Sequence, residues 1–267
     1  MKATYSYDDI LAAYSSLGVT TGETVYVTSD LWEVRGFEKP GGKALLKAHV
    51  DAIQELIGPG GTICVPTASV HLCNTDEPFD LEKTEGKLRG AISEHVRRLP
   101  DSRRSFHPFF SYAAVGRKAD ALTRNAPRGA FVYGSPEYRM MDENALCLSI
   151  GKHPRFTCTT VHLVEQAMGV PYRYSKEFMH PVIRDGEVSV EPFNYFVYYL
   201  DSDIERDGNR TLFKRLAGEL LMQETQLGAG TVYSYRMREF FERSCDIFND
   251  DIYVWCETPP TQRPWRK

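Results

Sequence analysis

Apolar residues recur along the chain in two spacings, one typical of helices and one typical of buried strands. After Ser6, a residue suited to cap a helix, apolar residues repeat at helical spacing until Gly18 interrupts the pattern. Residues 24–29 and 62–67 are short apolar runs that predict buried strands, and residues 45–57 between them predict a helix. The first quarter of the chain therefore predicts the order helix, strand, helix, strand.

The same alternation continues towards the C-terminus. Helices are predicted near residues 88–98, 159–168, 211–222 and 235–245, and strands near residues 111–115 and 145–150. This order predicts an α/β protein with a mostly parallel central sheet covered by helices on both faces. No internal repeat or low-complexity linker marks a boundary, so we expect a single domain over residues 1–267. Its residues from about 175 onward could form a C-terminal α+β subdomain.

Composition narrows the functional classes. The chain has 267 residues, of which 42% are hydrophobic and 25% charged, without an apolar run near the roughly 20 residues of a membrane span. The N-terminus lacks the layout of a secretion signal, which predicts a cytoplasmic protein. The net charge of −4 argues against nucleic acid as a partner. Six cysteines without paired spacing predict free thiols.

His162 and Glu165 are the candidates for acid–base chemistry. They lie three residues apart in a predicted helix and therefore share one face. If Thr159 caps this helix, His162 lies in its first turn, where unpaired backbone amides favour a neutral imidazole. A neutral imidazole backed by a carboxylate can act as a general base. An isolated His-x-x-Glu is more often a structural pair, so the surrounding sequence must decide.

Two further groups of residues are candidates for ligand binding. Arg104, Ser105 and His107 precede the strand near residues 111–115, and arginine donors suit the phosphates of a cofactor such as coenzyme A. A solvated basic loop, with His107 as a turn residue, explains them equally well. Ser29 and Thr67 end two predicted strands, where open α/β sheets bind ligands, although capping of the next segment is an equal alternative.

Other catalytic classes lack support in the sequence. The histidines and cysteines do not show the paired spacing of a zinc site, so we expect no metal. The Gly-x-Ser-x-Gly turn of hydrolases and the glycine-rich phosphate loop of nucleotide hydrolases do not occur.

Taken in order, these segments resemble the aminoglycoside 3-N-acetyltransferase family. The similarity runs from about Leu17 to Tyr174, and it is the ordered set of motifs that makes it specific. The motifs are Leu17-Gly18-Val19, Gly58-Pro59-Gly60-Gly61-Thr62 with Val65-Pro66-Thr67, Pro78-Phe79-Asp80, Gly90-Ala91-Ile92-Ser93-Glu94, Arg104-Ser105-x-His107-Pro108, Gly134-Ser135-Pro136 and Thr159-x-x-His162-Leu163-x-Glu165.

The resemblance implies acetyl-CoA as the donor and direct attack of a sugar amine on its thioester, without a covalent enzyme intermediate. It implies that His162 and Glu165 form the base dyad. Backbone amides or a hydroxyl such as that of Thr67 could stabilise the oxyanion of the proposed reaction. The residues that it places at coenzyme A are Arg104, Ser105, His107, Ser29 and the loop with Gly36. Family members usually end the first strand in His-x-Ser, where this chain has Val27-Thr28-Ser29.

The acceptor is expected to be a small amino sugar, and two kinds are open. The mildly acidic net charge favours a nucleotide-linked amino-deoxysugar of cell-surface glycan biosynthesis over a polycationic antibiotic. Asp76 and Asp80 support the antibiotic alternative, and Tyr172 is a further candidate for acceptor contact. A non-catalytic acyl-CoA-binding homologue is the second alternative, and a homodimer is compatible with the sequence.

Overall fold

The computed structural model describes residues 4–86, 90–200, 203–205, 211–217 and 221–263. The helices are α1 (Tyr7–Ser16), α2 (Gly42–Ile57), α3 (Ala91–Arg97), α4 (Ala119–Thr123), α5 (Pro136–Asp142), α6 (Thr160–Ala167), α7 (Thr211–Ala217) and α8 (Met237–Asp250). The strands are β1 (Thr24–Ser29), β2 (Thr62–Pro66), β3 (Arg103–Arg104), β4 (Tyr112–Gly116), β5 (Leu146–Ile150), β6 (Arg173–Arg184), β7 (Glu187–Tyr198), β8 (Gln223–Leu227) and β9 (Gly230–Arg236).

Seven strands form one sheet in the order β3-β4-β2-β1-β5-β9-β8. The three central strands, β2, β1 and β5, are parallel, and the strands on both sides of them pair antiparallel. Parallel neighbours need a crossover, and α2 provides the one between β1 and β2. The predicted α/β class is confirmed, with the parallel pairing concentrated at the centre of the sheet.

The alternation of side chains in β1 explains why both faces of the sheet are covered. Val25 and Val27 lie in the core beneath α1, α2 and α3, whereas Tyr26 lies in the core beneath α4 to α8. All three side chains are buried, as expected for a strand with helices on both sides. The predicted two-sided coverage of the sheet is therefore confirmed.

The predicted boundaries hold best in the first two thirds of the chain. α1 begins after Ser6, whose hydroxyl accepts the backbone N–H of Asp9 at 3.2 Å while the Asp9 carboxylate accepts the Ser6 N–H at 2.7 Å. The helix predicted near residues 88–98 begins at Ala91, and residues 87–89 lie outside the described residues. α7 is described from Thr211 to Ala217. Of the residues up to the predicted end at 222, residues 218–220 lie outside the description, and residues 221 and 222 are not helical.

The C-terminal third contains a hairpin that the apolar pattern did not predict. β6 and β7 pair antiparallel as a separate two-stranded sheet. Its turn has Asp185 and Gly186 at φ +51° and +84°, the pattern of a type I′ turn. By contrast, β8 and β9 join the main sheet beside β5. The strands after about residue 175 are thus shared between the hairpin and the main sheet.

A buried carboxyl group joins the main sheet to the beginning of α6. Glu137, in the first turn of α5, is 0% exposed. Its carboxyl oxygens accept hydrogen bonds from the hydroxyls of Thr159 at 2.9 and 3.0 Å and of Thr160 at 3.1 Å, and from the Tyr112 hydroxyl of β4. The Thr159 hydroxyl also bonds to that of Tyr26 in β1 at 2.8 Å. Burial raises the pKa of Glu137, although these hydrogen bonds act in the opposite direction.

Gly151, directly after β5, should be essential for stability. It has φ +79°, and a Cβ there would clash with the carbonyl oxygen of Asp30. Gly151→Ala should lower the free energy of unfolding by about 2 to 4 kcal/mol, since a left-handed backbone and overpacking both cost energy. Gly186→Ala, with similar φ but open space within the described part of the chain, should lose only about 1 to 2 kcal/mol. Equal losses of unfolding free energy in the two variants, measured by urea denaturation, would contradict the close approach of Gly151 to the Asp30 carbonyl.

Glu137 should make stability depend on pH. Because the folded chain holds this proton more tightly than the unfolded chain, the contribution of Glu137 is complete below the ordinary carboxyl pKa of 4.5 and is lost as the pH rises towards the folded value. Glu137→Gln cannot ionise, so the stability of the unsubstituted protein relative to this variant should fall as the pH rises above the ordinary carboxyl pKa.

The measurement is urea denaturation at a series of pH values, with Glu191→Gln as the control. Hydrogen bonds from Arg184 lower the pKa of Glu191 to about 2, so its contribution should be lost in the opposite direction, as the pH falls below the ordinary carboxyl pKa. A stability difference for Glu137→Gln that stays constant with pH would show that this carboxyl titrates normally.

Candidate active site

A cavity of about 450 Å³ lies beyond the carboxyl ends of the parallel strands. Thr28 and Ser29 line it from the end of β1, Pro66 from the end of β2, and Lys152 from the loop after β5. Thr159, at the start of α6, forms a further part of its wall. This is the position at which open α/β sheets bind ligands.

A second, more apolar cavity of about 650 Å³ continues from the first and shares Leu31, Trp32 and Ala91 with it. Its wall is the glycine-containing loop between β1 and α2, including Gly36 at φ +116°. Three basic residues of this loop and of α2 line it as well: Arg35, Lys39 and Lys43. We refer to the two cavities together as the strand-end cleft. It is long, partly apolar and basic at one end.

His162 and Glu165 form the predicted pair on α6. His162 is the third residue of the helix, and its Nδ1 lies 2.8 Å from Oε2 of Glu165. The Glu165 side chain is 0% exposed and that of His162 is 20% exposed, so the imidazole lies between a buried carboxylate and the surface. Phe131 packs against the imidazole, with the ring centroids 5.2 Å apart. Thr159 is at the cap position, but its hydroxyl is bonded to Glu137 rather than to the helix.

Arg173 is a third member of this cluster that the sequence analysis did not predict. Its Nε lies 3.1 Å from the same Glu165 oxygen, Nη1 donates to the carbonyl of Phe196 at 3.0 Å, and the guanidinium lies over the ring of Tyr198. Burial alone would lower the pKa of Arg173, but the charge of Glu165 and the contact with Tyr198 raise it. The available signal was an arginine in an apolar segment, since a buried charge requires a partner.

Ser29 and Gly36 line the strand-end cleft, whereas the basic stretch before β4 does not. Nη1 of Arg104 donates to the carbonyls of Leu81 and Thr84, Nη2 to the carbonyl of Thr67, and Nε to the Ser111 hydroxyl. Burial lowers the pKa of Arg104 to about 10. The Thr67 hydroxyl bonds to Ser111 at 2.9 Å. Arg104 therefore joins neighbouring loops to one another, and Thr67 is oriented towards Ser111.

Ser105 and His107 are also committed to internal contacts. The Ser105 hydroxyl accepts the backbone N–H of Tyr112 at 2.9 Å, and His107 Nδ1 accepts those of Phe109 and Phe110 at 3.2 and 3.1 Å. Burial lowers the pKa of His107 to about 4, so its ring is neutral. Both residues are buried and shape the turn before β4. Their assignment to coenzyme A stays a prediction that these contacts do not support.

The three predicted acceptor residues have different surroundings. Tyr172 is buried in the core beside α6. The Asp80 carboxylate accepts the backbone N–H groups of Glu82 and Lys83 at 2.9 and 3.0 Å, so it stabilises a local turn. Asp76 is exposed in the loop before it. Asp76 is thus the most accessible of the three, Asp80 is partly exposed, and Tyr172 is buried.

The remaining expectations concern cysteines, metals and membranes. All six cysteines are free thiols. Within the described ranges, His, Cys, Asp and Glu side chains do not come together in any group of three that could hold a metal ion. Among those same residues, no helix combines the length and the apolar character needed to span a bilayer.

Sequence comparison identifies relatives over nearly the whole chain. The profile described as aminoglycoside 3-N-acetyltransferase matches residues 27–249. Aminoglycoside N(3)-acetyltransferase IV from Salmonella sp is 31% identical over 255 residues, which cover 94% of this chain and 90% of the relative. Aminoglycoside N(3)-acetyltransferase III from Enterobacter cloacae is 29% identical over 199 residues, 67% of each chain.

Solved structures share the fold. Aminoglycoside acetyltransferase AAC(3)-Xa superposes with a TM-score of 0.79 at 22% identity, covering 92% of this chain and 93% of the other. AAC-IIIb in a binary complex with CoASH gives 0.77 at 17% identity, with coverages of 93% and 97%. A variant of AAC(3)-IVa in complex with apramycin gives 0.75 at 24% identity, with coverages of 95% and 96%.

The resemblance predicted from the ordered motifs is therefore confirmed. The profile match spans most of the chain, and the relative from Salmonella sp is similar over almost its full length. The architecture agrees with that of the solved structures. The chain belongs to the aminoglycoside 3-N-acetyltransferase family and is an acyl-CoA-dependent N-acetyltransferase with acetyl-CoA as co-substrate.

Proposed function

We propose that the acceptor of this acetyltransferase is an aminoglycoside antibiotic and that the acetyl group goes to an amine of that sugar. The family profile and the relatives support an aminoglycoside acceptor better than a nucleotide-linked amino sugar, the acceptor that the net charge of the chain favours. The observation that carries the catalytic part is the 2.8 Å contact between His162 and the buried Glu165, at the beginning of a helix that borders the strand-end cleft.

We propose that the donor occupies the strand-end cleft, because its chemistry suits this cleft. Coenzyme A combines phosphates, an adenine ring and a thin pantetheine arm, which suit a long cleft with an apolar wall and a basic end. In this proposal, Arg35, Lys39 and Lys43 face the phosphates, and Trp32 contacts the apolar part of the donor. The thioester then lies in the cavity bordered by Thr159, three residues before His162.

The dyad supplies the proton transfer that the reaction needs. With Nδ1 of His162 hydrogen-bonded to Glu165, Nε2 is the nitrogen that accepts a proton from the attacking amine. The amine nitrogen bonds to the thioester carbon, the carbon–sulfur bond breaks, and the electron pair leaves with the thiolate. Glu165 stabilises the resulting imidazolium. General-base assistance of this kind contributes roughly 10² to 10⁴ in rate.

An acceptor panel tests the proposed function. The measured quantity is the rate at which the coenzyme A thiol is released from acetyl-CoA, followed with a thiol-reactive dye. This rate should rise with gentamicin or apramycin as the acceptor and stay at background with UDP- or dTDP-linked amino sugars. His162→Ala should lower kcat by about 10² to 10⁴ with an almost unchanged donor Kd, and Glu165→Gln should lower kcat less.

Each other outcome of the panel contradicts one part of the proposal. Turnover of nucleotide-linked sugars alone would establish the biosynthetic alternative. Binding of acetyl-CoA without thiol release for any amine would establish the non-catalytic homologue. Equal turnover by His162→Ala and the unsubstituted protein would remove the dyad from the mechanism.

A calorimetric titration tests the position of the donor. Trp32 is 76% exposed, so Trp32→Ala should leave the fold intact while raising the acetyl-CoA Kd about 5- to 30-fold, the loss expected for an aromatic contact of about 1 to 2 kcal/mol. Val190→Ala, another exposed apolar site, on the β6–β7 hairpin, is the control and should leave the Kd unchanged. An unaltered Kd in Trp32→Ala would place the donor elsewhere.

A further inference from the structure

A permanent positive charge, that of Arg173, lies next to the same Glu165 oxygen that contacts His162. Oε2 of Glu165 is 2.8 Å from His162 Nδ1 and 3.1 Å from Arg173 Nε. Neither Glu165 nor Arg173 is accessible, with side chains 0% and 4% exposed. Water therefore does not screen this contact as it would at a surface, and the two charges are compensated mainly by each other.

The guanidinium is held in place independently of the dyad. Nη1 of Arg173 donates to the carbonyl of Phe196, and the guanidinium plane lies over the ring of Tyr198 with its carbon 3.8 Å from the ring centroid. Both of these partners belong to β7, whereas Glu165 belongs to α6. A planar, always charged group fixed in this way presents its charge to Glu165 in one geometry.

We propose that Arg173 is a positioning residue that keeps Glu165 ionised and His162 unprotonated before each turnover, and that it thereby sets the lower pH limit of acetyl transfer. The inference rests on the proposed role of His162 as the general base. It adds a function to the β6–β7 hairpin, because Arg173 is the first residue of β6.

The direction of the effect follows from the net charge of the cluster. With Arg173 present, a neutral imidazole gives Arg⁺, Glu⁻ and His⁰, whose charges sum to zero, and an added proton leaves one buried positive charge in excess. Without Arg173, Glu⁻ and His⁰ carry one negative charge, and an added proton neutralises it, wherever in the pair it resides. Removal of Arg173 must therefore raise the apparent pKa at which the pair takes up a proton.

Two titratable groups next to Glu165 and Arg173 are phenols, which do not replace this charge. Tyr172 lies next to Glu165, and burial together with the Glu165 charge raises its pKa well above the ordinary value. Tyr198 lies next to Arg173, and a phenol is ordinarily neutral at neutral pH. Phe131, whose ring packs against His162, carries no charge.

The test is the pH dependence of kcat/KM with acetyl-CoA and the acceptor found in the panel. Arg173→Gln should move the acidic limb of the profile upwards by about one to two pH units and recover most of the rate at high pH. Arg173→Lys, which keeps the charge, should move it less. Arg128→Gln, which removes an arginine paired with Glu191 and stacked on Phe193, is the matched control and should not move it.

A rate that falls equally at all pH values in Arg173→Gln, without movement of the acidic limb, would overturn the inference and leave Arg173 a structural residue. An NMR titration of the His162 ring in the unsubstituted protein is independent of whether the variants fold. It should show a neutral ring at neutral pH, and an imidazolium there would also overturn the inference. This titration needs no acceptor. It therefore tests the inference on Arg173 separately from the proposed function, which the acceptor panel tests.

Discussion

The proposed active site depends on one buried carboxylate. Burial removes Glu165 from water, which costs hydration energy. The contacts of His162 and Arg173 with its Oε2 atom offset part of this cost. One partner is on its own helix and the other is on the hairpin. The docking of β6–β7 against α6 therefore sets the charge next to His162, the proposed base.

A second buried carboxyl has the opposite surroundings and a different function. Glu137 has only hydroxyl partners among those described, Thr159, Thr160 and Tyr112; burial raises its pKa, although these hydrogen bonds lower it. It connects the first residues of α6 to the sheet, so that the direction of this helix is fixed where His162 emerges. Glu137 thus helps to fix the position of His162, the proposed base, and Glu165 with its partners determines the charge around it.

At the end of β1 this chain departs from the His-x-Ser pattern that the resemblance implies for the family. Val27 occupies the position at which relatives are expected to carry histidine, and it is buried in the apolar core beneath α1, α2 and α3. The next residue, Thr28, bonds to Ser149 at 3.0 Å and lines the cleft with Ser29. The valine is thus a packing residue, and the polar surface at this end of the strand comes from hydroxyl groups.

The sequence by itself determined the central sheet, the helices on both faces and the pairing of His162 with Glu165. These features depend on side-chain periodicity and on a contact within one helical turn, both of which local geometry fixes. Only the tertiary structure decided that Arg173 completes the cluster, that Arg104 joins loops and that Tyr172 is buried. Those outcomes depend on which elements pack together and on which charges they remove from water, and neither is encoded in the spacing of residues along the chain.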